Sequence, residues 1–314
     1  MAHQESLNND SLLSTFSASL PPGIGNHTVD TDDVVKVINL QHLISRGVYI
    51  YSVFGLLGLL AGISTLIIYF VSIVKKINLT MLGILVFTVT LADFALVLFS
   101  STDLVRPNPL TTSALCCTIL SFSFNIPYFY TALIQVAIFA FKDKLDAVQD
   151  GSVLRRCLIT TLTVLGVSTA CSVLVSTLAG VVQDPGVQVN CYLDPLEAPP
   201  SYRIVKFLLG FLVPTLIALI LIVRFFIHSR CSGGCQPPLL LPLAMFIVSF
   251  LCRLVYNTML LLRREAGDSY GLYREEAKAV LGELILFGGS CLCLCLLFIG
   301  VCTRTSTVPQ GIAI

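Results

Sequence analysis

Charge is scarce in this sequence. Asp, Glu, Lys and Arg make up 12% of its 314 residues against 55% hydrophobic residues, and the mean hydropathy is +0.88. A soluble domain of this size could not cover its surface with so few polar side chains, so the composition excludes a soluble protein and predicts one embedded in a lipid bilayer. The net charge of +1 is confined to short stretches between apolar runs, which leaves no footprint for nucleic acid. Histidine is also scarce: His3, His27, His42 and His228 all lie away from the middle of an apolar run, so no imidazole cluster can build a zinc enzyme. An intramembrane aspartyl protease would need two membrane acids able to share a proton, and no such pair stands out; no enzymatic activity is expected. No apolar segment with a small-residue cleavage site opens the chain, which argues against a removed signal peptide. An inverted repeat of the transporter type is also missing.

What the sequence does have is seven long apolar runs, at about residues 48–74, 79–102, 113–141, 153–182, 203–228, 238–262 and 277–302. At ~1.5 Å rise per residue each can cross the ~30 Å hydrocarbon core as a helix. The expected fold class is therefore an all-α membrane protein, a seven-transmembrane helix bundle. Residues 1–46, rich in Ser, Asn and Asp and carrying Pro21-Pro22-Gly23, read as a flexible extracellular tail; 47–302 form the transmembrane domain, and 303–314 a short cytoplasmic tail.

An odd number of spans puts the termini on opposite faces. With the N-terminus outside, nine basic residues face each side, so the positive-inside rule ties. The N-outside, C-inside orientation rests instead on two glycosylation acceptors, Asn9 and Asn26, in the tail, and on Cys116, Cys117 and Cys191, which border the outer face where one bridge could form.

The third run holds more hydrogen-bonding groups than a lipid-facing helix could carry: Ser121, Ser123, Asn125, Tyr128, Tyr130, Thr131 and Gln135, with Pro127 among them. It is expected to be wrapped by its neighbours. Only Asp93, Arg253 and Glu283 place charge well inside a span. A centred charge costs roughly 2.5–3.5 kcal/mol on insertion scales, so each should face the bundle interior and have a partner. Asp93 is expected beside Thr131 or Ser290, water, or a small cation such as sodium. Arg253 and Glu283, offset by ~6 Å along the helix axes, read either as an ion pair or as anchors of a ligand pocket that includes Tyr128. Pro127 and Pro214 each remove a mid-span hydrogen bond. Gly55, Gly58, Ala61 and Gly62 offer a close-packing face suited to the bundle interior.

Together these residues resemble the rhodopsin-like (class A) G protein-coupled receptors over about residues 48–302. Leu91-Ala92-Asp93 is similar to that family's second-helix motif and its single acid, and Pro214 to its helix-five proline. Phe246 through Cys252 can be laid on its sixth-helix aromatic pattern, with Phe250 at the tryptophan position. The resemblance implies a bridge from Cys117, or Cys116, to Cys191, and puts Arg253 and Asn257 at ligand-facing positions. It departs where the family switches: Phe141-Lys142-Asp143 replaces Asp-Arg-Tyr with Lys142 at the arginine position, no tryptophan exists, and the seventh-helix Asn-Pro-x-x-Tyr is lost. Span seven has no lysine for a retinal Schiff base. The implied function is a plasma-membrane receptor, orphan-like, that senses an extracellular ligand and signals to a heterotrimeric G protein or arrestin with atypical or weak coupling. The alternative is a small transporter or channel using Asp93, Arg253 and Glu283.

Overall fold

A computed structural model describes residues 31–74, 81–104, 110–141, 151–179, 188–191, 199–232, 240–263 and 269–307. The elements in chain order are α1 (Thr31–Val74), α2 (Met81–Leu104), β1 (Leu110–Ser113), α3 (Ala114–Ala140), α4 (Gly151–Leu178) and β2 (Gln188–Cys191). Then follow α5 (Pro200–Phe207), a π-helical turn (Leu208–Leu212), α6 (Val213–Ser232), α7 (Leu240–Leu261) and α8 (Ser269–Thr307). Contacts divide the chain into residues 1–41, of which only the start of α1 is described, and residues 42–314, which hold the bundle.

Seven helical segments are long and apolar enough to cross a membrane: Tyr51–Val74, Met81–Ser101, Ala114–Ala140, Arg155–Leu178, Pro200–Ile227, Leu240–Leu261 and Ala277–Thr303. The protein is a multi-pass helical membrane protein, and the seven apolar runs mark its spans to within a few residues. Two of the helices are longer than their runs. α1 already begins at Thr31, inside the stretch expected to be a tail. α8 begins at Ser269, eight residues before the seventh apolar run, in the charged connection between runs six and seven.

α3 is the axis of the bundle. Of its most apolar window 72% is buried, against 17% to 50% for the other six spans, and it touches α2, α4, the π turn, α6 and α7. Ser121, Asn125, Tyr128, Tyr130, Thr131 and Gln135 are all buried there. α4 shows the opposite pattern, with Leu158, Ile159, Leu162 and Leu165 exposed. Such a surface would be a liability in water and is the normal solvent-facing surface in lipid. Many buried hydroxyls need no neighbour because they bond back along their own helix, as Thr65 does to Ala61 O at 2.8 Å and Thr90 to Val86 O at 2.9 Å.

The glycine face of α1 packs inward, onto α8. A Cβ on Gly55 would lie 2.8 Å from the Phe287 ring, and one on Gly58 2.7 Å from Cys291 Sγ, so only glycine permits this approach. Tyr51 stacks on Phe287 with ring centroids 3.6 Å apart. At the end of the bundle where α3 begins, β1 and β2 pair antiparallel, Leu110 opposite Cys191, and Ser113 caps α3 by accepting from Cys116 N at 3.3 Å. That strand end is also where α5 starts and α7 finishes.

Candidate functional site

Span five supplies the flaw around which the site is built. Pro214 has no N–H, so the carbonyl of Gly210, four residues earlier, has no α-helical donor. The backbone answers with the π turn Leu208–Leu212, and the freed Gly210 O accepts from Arg253 Nη1 of α7 at 3.2 Å. Gly210 is required as well: a Cβ there would collide with the rings of Tyr128 and Phe129 on α3.

Arg253, only 5% exposed, spreads its fork over three spans. Nε donates to Ser249 Oγ on its own helix at 3.2 Å, Nη2 to the Tyr128 carbonyl of α3 at 2.8 Å, and Nη2 also to Thr131 Oγ1. The guanidinium carbon lies 4.5 Å from the centre of the Tyr128 ring. The Tyr128 hydroxyl in turn meets Asn257, whose Nδ2 is 2.9 Å and Oδ1 3.1 Å away, and Asn257 Nδ2 also donates to Arg253 O at 2.7 Å. Tyr128, Thr131, Arg253 and Asn257 thus form one network joining α3, the π turn and α7. An arginine can do this because its five donors point in several directions at once within the plane of the fork.

Arg253 is not paired with Glu283. Among the described residues its hydrogen bonds go to Ser249, Gly210, Tyr128 and Thr131, and the expected ion pair locking spans six and seven gives way to this arrangement. The reason is the bare carbonyl of Gly210, which draws the fork toward span five. Glu283 is buried in α8. Asp93 is 4% exposed; the Ser290 hydroxyl bonds its carboxyl group, as expected, while Oδ2 has no hydrogen-bond partner among the described residues. Thr131 belongs to Arg253 instead.

Two small voids, each with room for roughly one water, flank the guanidinium. Gln135, Gly210, Pro214, Phe246, Ser249 and Arg253 help to line the first, on the side of spans three and five. Asp93, Ser249, Cys252, Arg253, Ser290 and Cys293 help to line the second, on the side of spans two and seven. The second void does not suit sodium, because the cationic Arg253 already lines it and acts on the single carboxyl of Asp93. Among the described residues no group of three or more His, Cys, Asp or Glu side chains could hold a metal ion.

Closer to the strand end, Lys206 is fully buried; it stands near the start of the fifth apolar run and counts, by sequence, with the basic residues of the outer face. Its ammonium lies 5.0 to 5.7 Å from the ring centres of Phe124, Tyr128, Tyr202 and Tyr256, and 3.5 Å from the Tyr202 hydroxyl. A ring-lined cage of this kind holds a cation by its π faces. Arg203, one turn away, donates through Nη1 to Arg263 O at the end of α7. The signal was in the sequence: Tyr202, Lys206 and Gly210 recur every four residues and share one helix face.

Cys117 is disulfide-bonded, whereas Cys116 is free and exposed. Lys142, Asn9, Asn26 and the side chain of Cys191 lie outside the described residues. No protein-family model and no curated protein matches this chain.

Proposed function

We propose that this protein is a receptor of the seven-transmembrane kind, placed in the plasma membrane with its N-terminus outside, that binds an extracellular ligand near Tyr128, Asn257, Arg253 and Glu283 and passes the event to a cytosolic G protein or arrestin. The observation that carries this reading is the Arg253 network, which ties three spans together at the one place where span five departs from α-helical geometry. A bundle pinned at a helix flaw can exist in two packings, and a ligand that favours one of them shifts the population. The rings of Phe207, Phe211, Phe250, Phe246 and Phe139 continue from this point in successive contacts of 5.6 to 6.1 Å, with Phe250 between spans five and six.

The orientation gains support from burial. Among the described residues, Arg203, Lys206 and Arg263, three of the nine basic residues counted on the outer face, are buried rather than solvent-facing, which favours the same orientation. The disulfide at Cys117 favours an oxidising compartment for the strand end, with Cys191, at the end of β2, as its partner. Glycans on Asn9 and Asn26 belong to the same orientation. Lys142 offers a charge but not an arginine's planar fork at the inner end of α3, which fits weak or atypical coupling.

The test is a screen of second messengers and arrestin recruitment in cells expressing the wild type or Lys142→Arg, with a ligand library applied outside. Silence of both proteins at confirmed surface expression would move the case to the second reading, a small transporter or channel. That reading is favoured by one observation, the buried Asp93 bordering an internal void, and predicts ion flux in proteoliposomes that Asp93→Asn abolishes.

A further inference from the structure

Arg253 stands between two sets of acceptors and uses only one of them. On the side of spans three and five it bonds Gly210 O, Tyr128 O and Thr131 Oγ1. On the other side a void separates it from Asp93, and both residues line that void together with Ser249, Cys252 and Ser290. Asp93 Oδ2 reaches no donor among the described residues, although it lies deep in the bundle. A buried carboxylate oxygen without a donor is costly, and the nearest fixed cation is the guanidinium across the gap. The void has room for about one water, so for the guanidinium to cross it that site must empty and the side chains that line it must yield.

We infer that Arg253 is a two-position switch: its guanidinium either grips Gly210 and Tyr128, as seen, or crosses the void to Asp93. Ser249 sits at the pivot, lining both voids and accepting from Nε. In the first position α7 is tied to α3 and to the π turn of span five. In the second it is tied to α2 beside α8, and the Gly210 carbonyl loses its donor. Span five is then free to shift at its π turn, and the ends of α6 and α7 remote from the strands move relative to α3 and α1. Asp93 thereby takes a tethered cation where a diffusible one does not fit.

The test needs neither ligand nor transducer, so its failure leaves the receptor proposal standing, and a silent signalling screen leaves the switch standing. Ketone-reactive spin labels, which spare the native thiols, are placed at the exposed positions Val74 and Ile227 of the full chain in nanodiscs, and the electron–electron distance distribution is recorded. Two distance populations are expected. Asp93→Asn enriches the population with Arg253 on span five, while Thr131→Val and Ser290→Ala both enrich the other. Each variant should change the ratio by about threefold or more, the effect of one interhelical hydrogen bond. Should Asp93→Asn fail to fold, the Thr131→Val and Ser290→Ala pair still decides, because a merely structural role predicts no common shift from residues on different helices. A single unchanged distance in wild type and variants, or Asp93→Asn and Thr131→Val shifting the ratio the same way, would overturn the inference.

Discussion

Replacing Arg253 by Met keeps an unbranched side chain of similar reach and removes the fork. Three interhelical hydrogen bonds are lost, to Gly210 O, Tyr128 O and Thr131 Oγ1. Such bonds in membrane proteins average about 0.6 kcal/mol and reach about 1.7, so the loss is on the order of 2 to 5 kcal/mol. Insertion cost does not cancel it, because the separated helices of the reference state are already in the bilayer, where the arginine would face lipid. The carbonyl of Gly210 is left bare in any case, since Pro214 cannot supply a donor. For a chain of this size the midpoint of unfolding should fall on the order of 4 to 20 °C. Buried thiols report it directly: Cys157, Cys291 and Cys293 are buried and free, so a thiol-reactive dye in detergent lights up as the bundle opens. Thr131→Val, which removes a single interhelical bond, should lower the midpoint by far less. A Met variant as stable as the wild type, or more stable, would refute the reasoning, since a buried ionic group can also be a net burden that an apolar isostere relieves.

Other outcomes follow from the same structure. Gly58→Val should destabilise by about 1 to 3 kcal/mol through its clash with Cys291, and Cys291→Gly should restore part of the loss; dye-reported midpoints of the single and double variants check this. Lys206→Met should destabilise by about 2 kcal/mol by emptying the four-ring cage of its cation, read as a lower dye-reported midpoint. Cys117→Ser and Cys191→Ser should lose surface expression alike while Cys116→Ser does not, read by surface labelling; equal behaviour of all three would contradict the assignment. Endoglycosidase treatment should shift the protein on a gel, and Asn9→Gln with Asn26→Gln should abolish the shift.

The seven spans were legible because apolar runs of more than twenty residues allow nothing else in a bilayer. The central place of α3 was legible too, since Asn125, Tyr128, Thr131 and Gln135 need protein neighbours. The inward packing of Gly55, Gly58 and Gly62 follows from the same reasoning. The partner of Arg253 was not legible. Counting residues along two helices gives their offset along the membrane normal and says nothing about which neighbour each faces across it. Arg253 and Glu283 are close in depth, yet the fork turns toward a carbonyl exposed by Pro214, a consequence visible only once span five is folded. Lys206 counts by sequence with the outer-face charges because a lysine at the start of a span reads as solvated, and three of the four rings that enclose it come from α3 and α7, distant in sequence, while only Tyr202 is its neighbour on α5.

The receptor reading itself is most directly tested by arrestin and G protein recruitment to surface-expressed protein, with wild type and Lys142→Arg challenged by the same extracellular ligand library. The account predicts at least one ligand that recruits a transducer, weakly to the wild type and more strongly to Lys142→Arg. No recruitment to either protein by any ligand, with both at the cell surface, would contradict it.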